Sequence, residues 1–162
     1  EKRYKHSLRV AQLAQDLAQI YEVDEEKAYI AGLTHDCAKY NEEKYIEKLN
    51  IDISTYNVIS LKDPVLHSFI GAEVAKKVYH TTGKESMTIL EKIIFIADAI
   101  EPRRDFEGIN NIRDASRKDL DKTMLMLLDS SIIFLISKKA IINPLSFIAR
   151  NYLIEERNGK TR

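Results

Sequence analysis

A chain of 162 residues with 44% apolar and 31% charged residues is long enough for one domain with a proper core. Lysine plus arginine equals aspartate plus glutamate at 25 each, so no overall field draws the protein to nucleic acid or to a membrane. One cysteine, Cys37, excludes an internal disulfide and suits a reducing cytosol.

Helical periodicity runs through the sequence, and no stretch sustains period-two alternation. In residues 6–21, Val10, Leu13, Ala14, Leu17 and Tyr21 form one apolar stripe. Asp24 caps a second helix expected to run to about Lys39, with Ala28, Ala31 and His35 on one face. Residues 42–49 read as a short third helix with Tyr45 and Leu49 inside. Asp63-Pro64 starts another, placing His67 near its opening turn ahead of Ile70, Val74 and Val78.

Thr88-Ile-Leu-Glu91 is a capping box that opens a helix through Ile100, where Pro102 stops it. Asp98 can point inward from that helix, on a face with Glu91, Ile94 and Phe95. Asp119 is expected to start the longest helix, to about Ala140, with Met124, Leu127, Ser131, Phe134 and Leu135 inward. Asn143-Pro144 starts the last one. The expectation is a single all-α domain over residues 1–162, a helical bundle with a metal site in its core. Its ligand region spans 1–113 and its C-terminal helices 119–157.

No signal peptide is visible in the charged opening Glu1-Lys2-Arg3, and because it already reads as helix the native N-terminus is expected to lie further upstream. The most apolar run, Ile132-Ile-Phe-Leu-Ile136, is far short of a membrane span. It is expected to be buried in the core, a homodimer contact being the other use open to it. A cytoplasmic location follows from these readings.

The chemistry gathers around His35-Asp36. His6 lies 29 residues before the pair, and His67, His80 and Asp98 follow, so all four histidines take part. Neutral imidazoles beside carboxylates make hard-to-borderline metal ligands. His6, His35, Asp36 and Asp98 are expected to bind one divalent ion, and Asp36, His67 and His80 a second. A hydroxide bridging both ions would be the nucleophile in phosphate ester or anhydride hydrolysis. Such ligands suit iron, manganese, cobalt or zinc.

Anion partners lie close by in sequence. Lys39, one helical step after Asp36, can meet a phosphate, and Arg103, Arg104 and Arg113 cluster after the Asp98 helix. Thr81 and Gly83, just after His80, can hold a phosphate or a nucleoside edge. Catalytic roles fall to Asp36, Lys39 and Arg104. Gly32 and Gly71 sit in helices, at a cost that close packing near the metals would offset. Cys37 is expected to be a small buried filler.

The order His, His-Asp, Asp resembles that of the HD-domain phosphohydrolases. Lys2-Arg-Tyr-Lys-His-Ser-Leu8, Ala31-Gly-Leu-Thr-His-Asp-Cys-Ala-Lys39, Leu66-His67 with Gly71-Ala72, His80-Thr-Thr-Gly83 and Ile96-Ala-Asp-Ala-Ile-Glu-Pro-Arg-Arg-Asp-Phe-Glu-Gly108 are similar to the bacterial YqeK subgroup. The resemblance implies a symmetrical bis(5′-nucleosyl)-tetraphosphatase that splits diadenosine tetraphosphate into two ADP at a di-iron centre. Carried over, the ligands are His6, His35, Asp36, His67, His80 and Asp98, with Lys39 and Arg104 on the polyphosphate side. Arg103 sits where the family varies.

One departure concerns the separation of His67 and His80. At 13 residues it is about a dozen shorter than the family's usual spacing, and a continuous helix would place the two about 20 Å apart. The stretch therefore bends after Val78 or lacks a segment. Rival readings are hydrolysis of another nucleotide (a guanosine alarmone or a deoxynucleoside triphosphate) and a metal-loaded nucleotide sensor without turnover.

Overall fold

The computed structural model describes residues 1–55, Leu66, Ile70, Gly71 and residues 87–159. Within them lie seven α-helices: α1 (Lys2–Ile20), α2 (Glu25–Thr34), α3 (Glu42–Leu49), α4 (Ile89–Ile100), α5 (Ile109–Ser116), α6 (Leu120–Ser137) and α7 (Pro144–Gly159). No strand occurs among the described residues. The all-α expectation holds. None of these helices is long and apolar enough to cross a membrane. The expected helix start at Asp63-Pro64 lies outside the described residues, as do His67, Val74 and Val78.

The starts follow their sequence signals. Asp24 accepts from the Lys27 amide, Asp119 from that of Lys122 and Asn143 from that of Leu145, each at 2.9 Å. Both halves of the Thr88–Glu91 capping box form, and α4 ends at Ile100 as its proline requires.

Helix α1 packs on α2 and α4; α4 packs in turn on α6, and α6 on α5 and α7. The core is built from Val10, Ala14 and Leu17 of α1, Ile93, Ile96, Ala97 and Ile100 of α4, and Met124, Leu127 and Leu128 of α6. Each fully buried aliphatic side chain contributes about 1.5–3 kcal/mol. A smaller cluster of Ala38, Leu66 and Ile70 packs under Tyr45 and Ile46 of α3.

Gly32 sets the closest helix approach. A Cβ at this position would lie 2.7 Å from the Ala11 Cα, so only glycine lets α2 rest directly on α1. Gly71 lies against the 35–40 turn, where a Cβ would meet the His35 carbonyl oxygen at 3.3 Å.

Three expectations are corrected. Helix α2 ends at Thr34, not near Lys39. The Thr34 hydroxyl donates back to the Ile30 carbonyl (2.8 Å), and tighter i→i+3 bonds at Cys37, Lys39 and Asn41 replace helical ones. Helix α6 stops at Ser137 and, with 18 residues against 19 in α1, is not the longest among those described. Its last turns also turn outward. Ile133, Phe134 and Ile136 are 66%, 58% and 60% exposed and Ser131 is exposed, whereas Ile132 on the other side of the same turns is buried.

Candidate metal centre

Helix α2 delivers His35 at its C-terminal end, and the turn that follows carries Asp36 and Lys39. Helix α1 brings His6 from its second turn, and α4 brings Asp98 from its last. His6, His35 and Asp36 place ligand atoms within 4.8 Å of one another. Asp98 Oδ1 is 3.0 Å from His6 Nε2 and 3.7 Å from His35 Nε2. Four side chains from three separate segments thus converge. The two imidazoles meet edge to face, with centroids 5.3 Å apart.

Hydrogen bonding fixes the orientation of each ring. His35 Nδ1 donates to the Gly32 carbonyl at 2.7 Å. Its Nε2 is buried and, among the described residues, has no hydrogen-bond partner. The Asp36 Oδ1 at 3.8 Å and the Asp98 oxygen at 3.7 Å lie beyond hydrogen-bond range. A buried imidazole nitrogen held with its lone pair toward two carboxylates fits a divalent cation.

His6 Nδ1 lies 3.3 Å from Glu101 Oε1, the carboxylate–histidine arrangement that supports metal-binding imidazoles. Glu101 is 3% exposed. Burial alone would raise its pKa. The Arg9 guanidinium at 2.6 Å, the Arg103 amide at 2.8 Å and His6 outweigh that and hold the carboxyl at about 2.

Sequence reading missed Glu101 and Arg9, although Glu101 sits inside the Glu-Pro-Arg-Arg-Asp-Phe stretch. The available signal was Pro102. It drives the preceding residue into extended backbone, ending α4 and turning Glu101 toward α1.

The cationic residues are already engaged with these acids. Lys39 Nζ lies 3.1 and 3.0 Å from the two Asp36 carboxylate oxygens. Arg104 Nη2 donates to Asp98 Oδ1 at 3.0 Å, and its Nε donates to the Asp98 carbonyl at 3.1 Å. Arg113 stands apart from the group expected to meet substrate. It donates to the carbonyls of Ile100, Glu101 and Arg104, tying the end of α4 to the turn after it.

A cavity of about 330 Å3 opens over His6 and Asp36, with Lys2, Arg3, Lys39, Arg103 and Arg104 among its lining against the acids Asp36 and Glu101. Five cations against two carboxylates give an otherwise neutral protein one positive opening, suited to a polyanion. Lys2 and Arg3, one turn before His6, were not anticipated. Arg113 does not line this cavity. Cys37 is exposed instead of buried, because the turn that replaces the end of α2 carries it outward. Partial burial of its thiol raises the pKa, which disfavours the thiolate. His67, His80, Thr81 and Gly83 lie outside the described residues.

The HD domain family model matches residues 3–103, which hold His6, His35, Asp36 and Asp98. The chain belongs to the HD-domain family, and this membership implies a divalent metal site. Within that family it belongs with the symmetrical bis(5′-nucleosyl)-tetraphosphatases. The protein of that name from Halalkalibacterium halodurans is 34% identical, covering 96% of this chain and 91% of its own. That from Staphylococcus aureus is 38% identical, covering 94% and 87%. Among solved structures, a "predicted HD superfamily hydrolase involved in NAD metabolism" from Clostridium acetobutylicum is similar, with a TM-score of 0.76 and 44% identity over 96% of this chain and 90% of its own.

Proposed function

We propose that this protein hydrolyses diadenosine tetraphosphate symmetrically. Water adds across the central phosphoanhydride, the bridging P–O bond breaks, and two ADP molecules leave. The observation that carries the reading is the buried Nε2 of His35, without a hydrogen-bond partner among the described residues, beside the carboxylates of Asp36 and Asp98, with Asp36 and His6 lining a cation-rich cavity. The names of the relatives in bacteria supply the substrate class.

In this reading His6, His35, Asp36 and Asp98 would hold one divalent ion and Asp36, His67 and His80 a second, with iron as the metal that the family resemblance implies. Bound there, such ions polarise a phosphoryl oxygen and lower the pKa of water. Glu101 and Gly32 orient the two imidazoles. Lys39 and Arg104 neutralise Asp36 and Asp98 in the structure, and cations on those carboxylates would leave both side chains to the polyphosphate. Arg103 and Lys2 extend the positive lining. Thr81 and Gly83 are assigned to the substrate on sequence position alone. ADP is a good leaving group, so no strong general acid is required. Arg113 is left with the end of α4.

Separation of the products by anion exchange tests the assignment. Two equal diphosphates support symmetrical cleavage, whereas ATP plus AMP contradicts it. Tight binding without product over hours, with ferrous iron supplied, would instead identify a sensor.

A further inference from the structure

We propose that Tyr40, backed by Arg3, is the stacking platform for one nucleobase of the substrate, an inference that rests on the dinucleotide reading above. Tyr40 closes the turn that begins at His35 and lines the same cavity as His6 and Asp36. The residue is 75% exposed, so core packing does not account for an aromatic side chain there. Its backbone has φ +67°, a left-handed conformation costly for a bulky side chain and cheap for glycine. Ending the turn requires that conformation but does not require a phenol ring.

The ring is also fixed from one side. The Arg3 guanidinium lies 5.1 Å from its centroid. Arg3 Nη2 donates to the carbonyls of Asp36 at 3.0 Å and Lys39 at 3.4 Å. The cation is therefore anchored on the turn that carries both Asp36 and Tyr40. A ring held against a cation on one face, with most of its surface in solvent at the rim of a positive cavity, suits a flat base. Every nucleobase has a π-face, and stacking on an aromatic residue tolerates base identity. Because one short turn holds Asp36, Lys39 and Tyr40, the base and the phosphates would be read from a single rigid piece.

The test compares wild type with Tyr40→Gly and Tyr40→Phe. The measurements are steady-state kinetics on diadenosine tetraphosphate, calorimetric binding of ADP and of inorganic pyrophosphate, and melting temperature. Tyr40→Gly is expected to raise KM and the Kd for ADP about tenfold, the scale of one lost stacking contact. Pyrophosphate, which has no base, should change by less than about twofold. The melting temperature should stay at or above that of wild type, since glycine suits the left-handed backbone. Tyr40→Phe should keep wild-type KM and ADP affinity. Unchanged ADP affinity in Tyr40→Gly overturns the platform. Equal weakening of ADP and pyrophosphate also overturns it, because the turn rather than the ring would then be what mattered. If wild type leaves the tetraphosphate intact, the functional reading falls, and the ADP comparison still decides the role of Tyr40.

Discussion

His35 Nδ1 donates to the carbonyl of Gly32 at 2.7 Å, which leaves the lone pair of Nε2 pointing at Asp36 and Asp98. A hydrogen bond to backbone three residues earlier thus sets the tautomer that a metal ligand needs. His35→Ala should lower metal content to about a tenth or less after dialysis, since even orienting partners are worth 10–100-fold in affinity. Elemental analysis beside circular dichroism checks this. A fully metallated, folded variant would remove His35 from the centre.

Glu101, which also lines the cavity, orients His6 through its Nδ1. Glu101→Gln keeps the shape but removes the charge that faces His6 and Arg9. Metal affinity should fall about 10–100-fold. Competition with a chelator measures it on protein whose melting is followed in parallel. Loss of stability with affinity intact would reduce Glu101 to a strut between α1 and α4.

Gly32→Ala tests the closest helix contact. Helix propensity favours alanine by about 1 kcal/mol. Against that, the new methyl would sit 2.7 Å from backbone that cannot swing away. The clash should win, with a net destabilisation of about 1–3 kcal/mol in urea unfolding. A variant as stable as wild type would mean that α1 and α2 can separate freely.

Asp119 caps α6 and pairs with Arg157 at 2.9 Å. Burial pushes its carboxyl pKa up, but the Lys122 amide and Arg157 prevail and the pKa is lowered. A depressed folded pKa means that its contribution is complete above the unfolded value, about 4, and is lost as pH falls toward the folded one. Asp119→Ala should therefore cost about 1 kcal/mol at neutral pH through loss of the cap. That difference should shrink below about pH 4. Chemical denaturation at several pH values checks the sign, and a gap that widens on acidification contradicts it.

Much of this was legible in the chain because it is local. Asp24, Thr88, Asp119 and Asn143 each bond to an amide two or three residues on, and Pro102 acts on its neighbour. Those signals need no knowledge of the fold. The end of α2 was not legible, because Thr34 chooses between continuing the helix and bonding back to Ile30, and packing decides. Phe134 read as core because apolar spacing does not say whether another helix arrives to cover it. Glu101 hid for the opposite reason. A glutamate before a proline looks like surface until α1 places Arg9 and His6 on it. His6, His35, Asp36 and Asp98 converged as their types and order suggested, whereas Tyr40 and Arg3 carried no pattern that marks them.

The most direct test of the metal centre is anomalous diffraction from crystals grown with manganese. The account predicts a peak within about 2.3 Å of His6 Nε2, His35 Nε2 and an oxygen of both Asp36 and Asp98. A peak bound elsewhere, or none while Lys39 and Arg104 stay on the two aspartates, would contradict it.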